Sequence, residues 1–456
     1  MKLGVDFGTT HTTAAVYRDD AVHFVQLDES QNLLRSMIYI TREHEVILGK
    51  GAVERYLDEN TGRIIVTREK KVGTVENWVA RMSRGPLEPD GPIQLIYDVI
   101  IDEDISSPGR LIQSIKTGLR QEDYHGTNVF DRYYSLEKLI ALILRHTRES
   151  AENQFGEPIT EIALGRPVKF SDDPEVDAEA QQTLHNAAQM AGFENITYVP
   201  EPLAAAKFYT QNIDSEQTIL IFDFGGGTLD FSILQVTPDG KSDVLSTHGV
   251  LVGGDDFDSA IMQGKVADYF GEKATLKPDD TPIPQHIYGF LANWQTIPLL
   301  SRVDTLPIIR RAQDKSSDPD AFVKLESLVM NNYGFPLFEA IEKAKRKLSS
   351  ADTATVTLHE PKLDISVDMS RIEFQVLISP YLGEVQLGMS AALRKADISA
   401  SQIDAVITTG GSSLIPIFQK MLSRKFPKAT LVRSDTFGSV GAGLAIAASE
   451  LNTPSG

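Results

Sequence analysis

Two stretches of this chain repeat one design, and between them they restrict what it can fold into. The later one, Ile219-Leu-Ile-Phe-Asp223-Phe-Gly225-Gly226-Gly227-Thr228-Leu-Asp230, runs an apolar segment into an acid, a glycine turn, a hydroxyl and another acid. Residues 219–222 show no polar alternation, which predicts a strand buried on both faces at the centre of a helix-flanked sheet. The glycines lack Cβ, so they permit positive φ and let backbone N–H groups come close to an anion. The earlier one, Leu3-Gly-Val-Asp6-Phe-Gly8-Thr9-Thr10-His11-Thr12, follows the same order of strand, Asp-Phe-Gly and hydroxyls. Each turns back into a β-rich segment, 12–17 and 231–236. That return separates both from Rossmann and Walker loops, whose glycines open a helix.

Such a hairpin is an inventory for a triphosphate: amide donors in the turn, and Asp223 and Asp230 to hold the waters of a hard cation such as Mg²⁺. Two copies imply a duplicated, two-lobed protein clamping one nucleotide. The length of 456 residues exceeds what one core usually serves, which agrees with two lobes. Acids outnumber bases 63 to 44, leaving a charge of −19, and this argues against a nucleic-acid partner, which needs a clustered basic face. The absence of cysteine removes disulfides, thiol catalysis and Cys-based zinc sites. No leader-like apolar segment opens the sequence and no run is long enough to span a membrane, so the expectation is a cytoplasmic protein without membrane contact.

Along the chain, 21–27 and 37–40 are expected to complete the first sheet as short strands. Residues from about 41 to 134 read as a peripheral insertion. Ser135 caps a helix with an i, i+3, i+4, i+7 stripe through Leu136, Leu139, Ile140, Ile143 and Leu144. Strand 159–164, helix 177–190 and strand 196–199 then alternate, as in a layered α/β lobe. Lobe I is assigned to 1–205. Lobe II is assigned to 206–456, with an insertion at about 259–350 whose stretch 273–336 resists assignment. Trp294 there is read as packing. Ser370 and Glu373 form a capping box for a helix kinked by Pro380, and strand 405–409 runs into Gly410-Gly411-Ser412. The small-residue helix 439–451 is placed either in lobe II or packed back on lobe I. At Gly253-Gly254-Asp255 two readings stand: a second anion contact, or a helix N-cap with acids favoured by the dipole.

Together these motifs resemble the nucleotide-binding domain of the heat shock protein 70 chaperones, in the actin and sugar-kinase superfamily, over nearly the whole chain. The resemblance implies an α/β, actin-like ATPase fold of two ribonuclease-H-like lobes around a nucleotide cleft, with ATP or ADP and Mg²⁺ as cofactors. It implies that Gly8, Thr9, Thr10, His11 and Gly225, Gly226 and Gly227 meet phosphates, and that Asp6 and Asp223 position the metal through water. Lys116, Glu201, Thr228 and Asp230 correspond to the catalytic set around the γ-phosphate, although Lys116 also reads as a surface lysine. Gly253, Gly254 and Asp255 stand as the family's third signature. Glu342, Lys345, Arg346, Ser349, Gly410, Gly411, Ser412 and Asp435 correspond to its adenosine side.

Departures from the pattern bear on function. Leu414 stands where relatives often carry an adenine-stacking arginine, which would leave Arg346 stacking from one side. No apolar linker or β-sandwich follows residue 451, so the expectation is a short, chaperone-like relative. Three functions remain open: a slowly hydrolysing ATPase whose lobe closure reports nucleotide state to a protein partner or client, a nucleotide-binding interaction module without turnover, and a small-molecule kinase of the same fold.

Overall fold

The computed structural model describes residues 1–29, 31–79, 93–171, 173–210, 213–433 and 438–450. Its frame is one sheet design used twice. In the first sheet the strands run in the order Asn195–Pro200, Glu161–Arg166, Lys2–Phe7, His11–Arg18 and Ala21–Phe24, with Leu33–Arg35 also pairing His11–Arg18. The second runs Ser242–Val250, Leu229–Val236, Gln217–Phe224, Ala405–Thr409 and Thr430–Arg433. In each, an antiparallel hairpin is extended by a third antiparallel strand on one side and by two parallel strands on the other. The parallel strands lie on the side of the apolar first strand of each hairpin, and this is why that strand reads as a continuous hydrophobic run.

Helices cover the sheets. Leu136–Phe155 is capped by Ser135, whose side chain accepts from the Lys138 N–H, and its buried stripe includes Leu139, Ile140, Ile143 and Leu144. The helix expected over 177–190 starts earlier, at Pro174, because Asp173 caps it and proline suits the first helical position. Pro380 does not kink a continuous helix. Arg371–Leu377 ends and Ser379–Lys395 begins afresh with that proline in its first turn. Met37–Thr41 also departs from expectation, since it joins Val46–Leu48 and Gly109–Gln113 in a separate sheet. Short runs of apolar residues do not encode which sheet they enter. The stretch that resisted assignment holds the short strand pair Thr275–Leu276 and Thr281–Pro282, short helical turns and the helices Leu306–Lys315 and Pro319–Met330, and it ends in the first turn of Gly334–Lys347.

Each lobe has its own core, one around Leu3, Val5 and Leu139, the other around Phe222, Phe224, Phe257 and Phe418. A third cluster joins them through Ala204, Ala205, Ala206, Ile219, Ile221, Ile407, Val440 and Leu444. Here the helices Glu201–Thr210 and Ser439–Glu450 cross between the sheets. Small residues set how closely they approach: a Cβ on Gly443 would lie 2.0 Å from the Ala204 carbonyl oxygen, and one on Gly4 would lie 2.3 Å from the Ala445 nitrogen. The C-terminal helix thus lies against the first strand of the first sheet. Among the described residues, no helix is long and apolar enough to cross a membrane.

Candidate functional site: an interlobe cleft

The hairpin turns of the two sheets meet face to face. A Cβ placed on Gly226 would sit 3.2 Å from Thr10 Cγ2, so the second glycine turn closes on the Thr10 methyl group of the first. Between them opens a cleft of about 750 Å³ lined from both lobes. Its walls bring together Asp6, Gly8, Thr9, Thr10, His11, Lys116, Glu201, Asp223, Gly225, Gly226, Gly227, Thr228, Asp230, Gly254 and Asp255, and also Glu342, Lys345, Arg346, Ser349, Gly410, Gly411 and Ser412. Asp435 lies outside the described residues.

The floor is a charge cluster. Lys116, in the short helical turn Ile115–Arg120, donates from Nζ to Glu201 Oε1 at 2.6 Å, and only about a tenth of its side chain is exposed. The reading of Lys116 as a surface lysine is therefore wrong. Burial acts to lower its pKa, but the carboxylates of Glu201 and Asp6 outweigh that and raise it. Asp6 and Asp223 each keep one edge open to the cleft, yet the protein packed round them is enough to desolvate them. Desolvation, reinforced by Glu201, pushes Asp6 up to about 7. Desolvation, reinforced by Asp230, Glu201 and Asp6, pushes Asp223 up to about 8. Burial raises Asp230 as well, against the pull of Arg120. Thr228 Oγ1 donates to Asp230 Oδ2 at 3.2 Å, which ties the turn to the returning strand.

This cluster fits a divalent cation bound with phosphate. Acid exceeds base at the floor, burial first and neighbouring carboxylates second keep Asp6 and Asp223 from ionising, and Thr13 Oγ1, directly across the ladder from Asp6, is buried without a hydrogen-bond partner. Among the described residues no three His, Cys, Asp or Glu side chains converge closely enough to ligate an ion directly. Asp6 and Asp223 would therefore act through water molecules.

The third glycine motif supports the second turn. Gly254 and Asp255 donate their N–H groups to the carbonyl oxygens of Gly225 and Gly226, at 3.1 and 2.8 Å, and Gly253 receives the Asp256 carboxylate on its own N–H at 2.8 Å. Those amides are thus already engaged. Of the two readings offered by the sequence, the N-cap describes this segment, and Gly253 itself is not in the cleft wall. It lies behind Gly226, whose oxygen a Cβ on Gly253 would approach to 1.9 Å. Lys345 is similarly committed: its Nζ donates to Gly254 O and to Asp258 Oδ2, both at 2.8 Å. Desolvation holds Asp258 up at about 7 despite that lysine.

At the opposite end Arg346 and Leu414 both line the cleft, with Ser349 and Ile415 beside them. Gly410 turns the chain there with φ of 77°, in the left-handed region, and Ser412 Oγ donates to Gly225 O at 3.1 Å. Above the cleft the lobes touch through Arg35, which pairs with Glu339 at 3.1 Å and lies over the Phe335 ring. His11 is held down to about 4, by desolvation first and by Arg35 second. Trp294 packs edge-on against Phe335 and Tyr56 and also borders the cleft. Sequence reasoning missed Arg35, Arg120, Thr13 and Asp258. Arg120 was within reach, since it follows Lys116 by one helical turn, whereas Arg35 carried no local signal.

Paired ribonuclease-H-like sheets whose hairpins close on one cleft define an actin-like ATPase fold. The sequence profile of the family described as Hsp70 protein matches residues 106–282 and 332–454. The chain belongs to that family and has the fold of its nucleotide-binding domain. It is similar to the chaperone protein dnaK1 of Synechocystis, 26% identical over 95% of this chain and 51% of that protein. It is also similar to the chaperone protein dnaK of Emiliania huxleyi, at 26% over 96% of this chain and 59% of that protein. The chloroplastic heat shock 70 kDa protein 7 of Arabidopsis thaliana is 27% identical over 99% of this chain and 52% of that protein. The chain thus spans about half the length of the curated relatives it matches.

Proposed function

We propose that this chain binds ATP or ADP with Mg²⁺ between its lobes, hydrolyses ATP slowly, and reports the bound nucleotide to a protein partner or client through lobe closure, in the manner of a chaperone. We place it in the cytoplasm. The observation that carries this reading is the meeting of two like glycine hairpins over the Lys116–Glu201 pair. In it, Thr9, Thr10 and the turn 225–227 donate to phosphate oxygens. Lys116 offsets charge on the transferred phosphoryl, and Glu201 orients the attacking water, with Thr228 and Asp230 beside it. When bound, the metal draws off charge from the phosphate oxygens, and the water shell around Asp6 and Asp223 would hold it. Arg346, Leu414, Glu342 and Ser349 form the walls for the nucleoside.

Calorimetry with millimolar Mg·ATP and Mg·ADP tests binding, and phosphate release in a single turnover tests hydrolysis. Binding heat together with a rise in melting temperature is the expected result. If neither nucleotide binds, the reading fails. If ATP binds and no phosphate is released, the protein is a nucleotide-dependent interaction module.

A further inference from the structure

On the second lobe, sharing no residue with the cleft wall, the helix Pro416–Lys425 and the strand Thr430–Arg433 border a cavity of about 460 Å³. It is lined by Gln419, Lys420, Ser423, Arg424, Leu431 and Arg433. Three of those residues are cations and none is an acid. On a chain of net charge −19 acids are abundant, and some surface bases pair with them, as in Lys265–Glu373 and Arg310–Glu326. Lys420, Arg424 and Arg433 form no ion pair with any described acidic residue.

General devices account for part of the arrangement. A base in the last helical turn favours the helix dipole, which suits Arg424, and a charged residue guards an edge strand, which suits Arg433. Neither explains Lys420. It stands one turn before Arg424 on the same helix face, where like charges repel, and Arg433 faces both from a second element. A concave group of mutually repelling cations with no acidic partner among the described residues is suited to meet an external anion.

We infer that this pocket docks an acidic, extended peptide segment. Thr430–Arg433 is the outer strand of its sheet, so a row of its backbone groups faces outward and offers a peptide main-chain pairing. Alternate residues of an extended chain repeat at roughly 6.6 Å, close to the rise of ~6 Å between helix positions four apart. Acidic side chains at every second position therefore match Lys420 and Arg424 in step, with Ser423 offering a hydroxyl and Leu431 an apolar floor. Nucleic acid is the poorer occupant, because three cations on a strongly acidic chain neutralise few phosphates.

The test is fluorescence anisotropy with a labelled decapeptide of alternating Glu and Val, at low and at 0.3 M salt, beside a Lys-Val decapeptide. Saturable binding of the acidic peptide alone, weakened by salt, is expected. Loss of about tenfold or more in affinity is expected for Lys420→Glu with Arg424→Glu, the effect of removing two exposed charge contacts. Both side chains are on the surface, so melting temperature and Mg·ATP binding should be unchanged. If the reversed pair melts early, Lys420→Gln with Arg424→Gln carries the same comparison. Absence of saturable binding, equal binding of the basic peptide, retained affinity in both double variants, or tighter binding of oligodeoxythymidine or inorganic phosphate would each overturn the assignment.

Discussion

Asp223 and Asp230 are direct register partners across the second hairpin, whereas the corresponding Asp6 in the first faces Thr13. Like charges opposite one another in a ladder are destabilising, and these two are also desolvated. The second hairpin therefore holds an arrangement that weakens the fold, as functional sites commonly do.

The first prediction is the pH dependence that follows. Asp223 is raised to about 8 from an ordinary 3.8, so between those values the folded protein holds more protons than the unfolded chain. Its contribution is complete below pH 4 and lost as pH rises through 8. Asp223→Asn should therefore melt higher than the parent at pH 8, by a few degrees, with the gap closing toward pH 5. Thermal unfolding without nucleotide reads this, and a gap independent of pH would contradict it. The same variant should bind Mg·ATP more weakly, because it no longer orders the metal's water shell.

A second prediction separates the two roles of Lys116. Removing it strands Glu201 in a largely buried position, so Lys116→Ala should cost up to about 3 kcal/mol of stability, toward the low end for a broken buried pair. Adding Glu201→Gln should restore most of that loss. It should not restore phosphate release, which in the proposed reading depends on the Lys116 ammonium and on the Glu201 carboxylate alike, and turnover should fall far more than ATP affinity in both variants. Recovery of turnover with stability would overturn both roles, and unimpaired turnover in Lys116→Ala alone would reduce Lys116 to a structural lysine.

Third, the base site is tested through Arg346 and Leu414, which line the same end of the cleft. Leucine packs but lacks cation–π attraction, worth roughly 0.5–2 kcal/mol, so Leu414→Arg should tighten ATP about three- to thirtyfold. Arg346→Ala should weaken it by a similar factor. Ribose triphosphate without a base should be indifferent to both. If Leu414→Arg changes nothing while Arg346→Ala abolishes binding, the base is held from one side only.

How far the sequence reached can be judged from these residues. The hairpins were legible because a central strand, a glycine turn and a returning strand are all local signals, and their repetition supplied the second lobe. The helix starts at Ser135 and Ser370 were legible for the same reason. What eluded sequence reading depends on long-range placement. Met37–Thr41 leaves the first sheet to pair with Gly109–Gln113, and Arg35 gains its importance from Glu339 and Phe335, some 300 positions away. The family resemblance put Lys345 on the adenosine side, and its ammonium donates to Asp258 and Gly254. No period or motif states where a side chain spends its hydrogen bonds.

The last prediction concerns Gly253, which the cleft wall excludes and which should matter to the ligand all the same. Its φ of −145° is open to any residue, so alanine there meets no backbone strain. The added Cβ would instead lie 1.9 Å from Gly226 O, 2.3 Å from Gly226 C and 2.5 Å from Gly227 N, all backbone atoms that no side-chain rotation can relieve. The turn 225–227 must move, and with it the bonds from Gly254 and Asp255 to its carbonyl oxygens. Gly253→Ala should therefore weaken Mg·ATP and Mg·ADP by about tenfold or more, a loss of at least ~1.4 kcal/mol, through a displaced phosphate turn. AMP, which carries neither the β- nor the γ-phosphate, should lose less. Thr228→Ala, which deletes only the hydroxyl bonded to Asp230, is the comparison that leaves the turn in place. Equal affinity of Gly253→Ala and the parent for all three nucleotides, measured by calorimetry, would show that the phosphates do not depend on this turn.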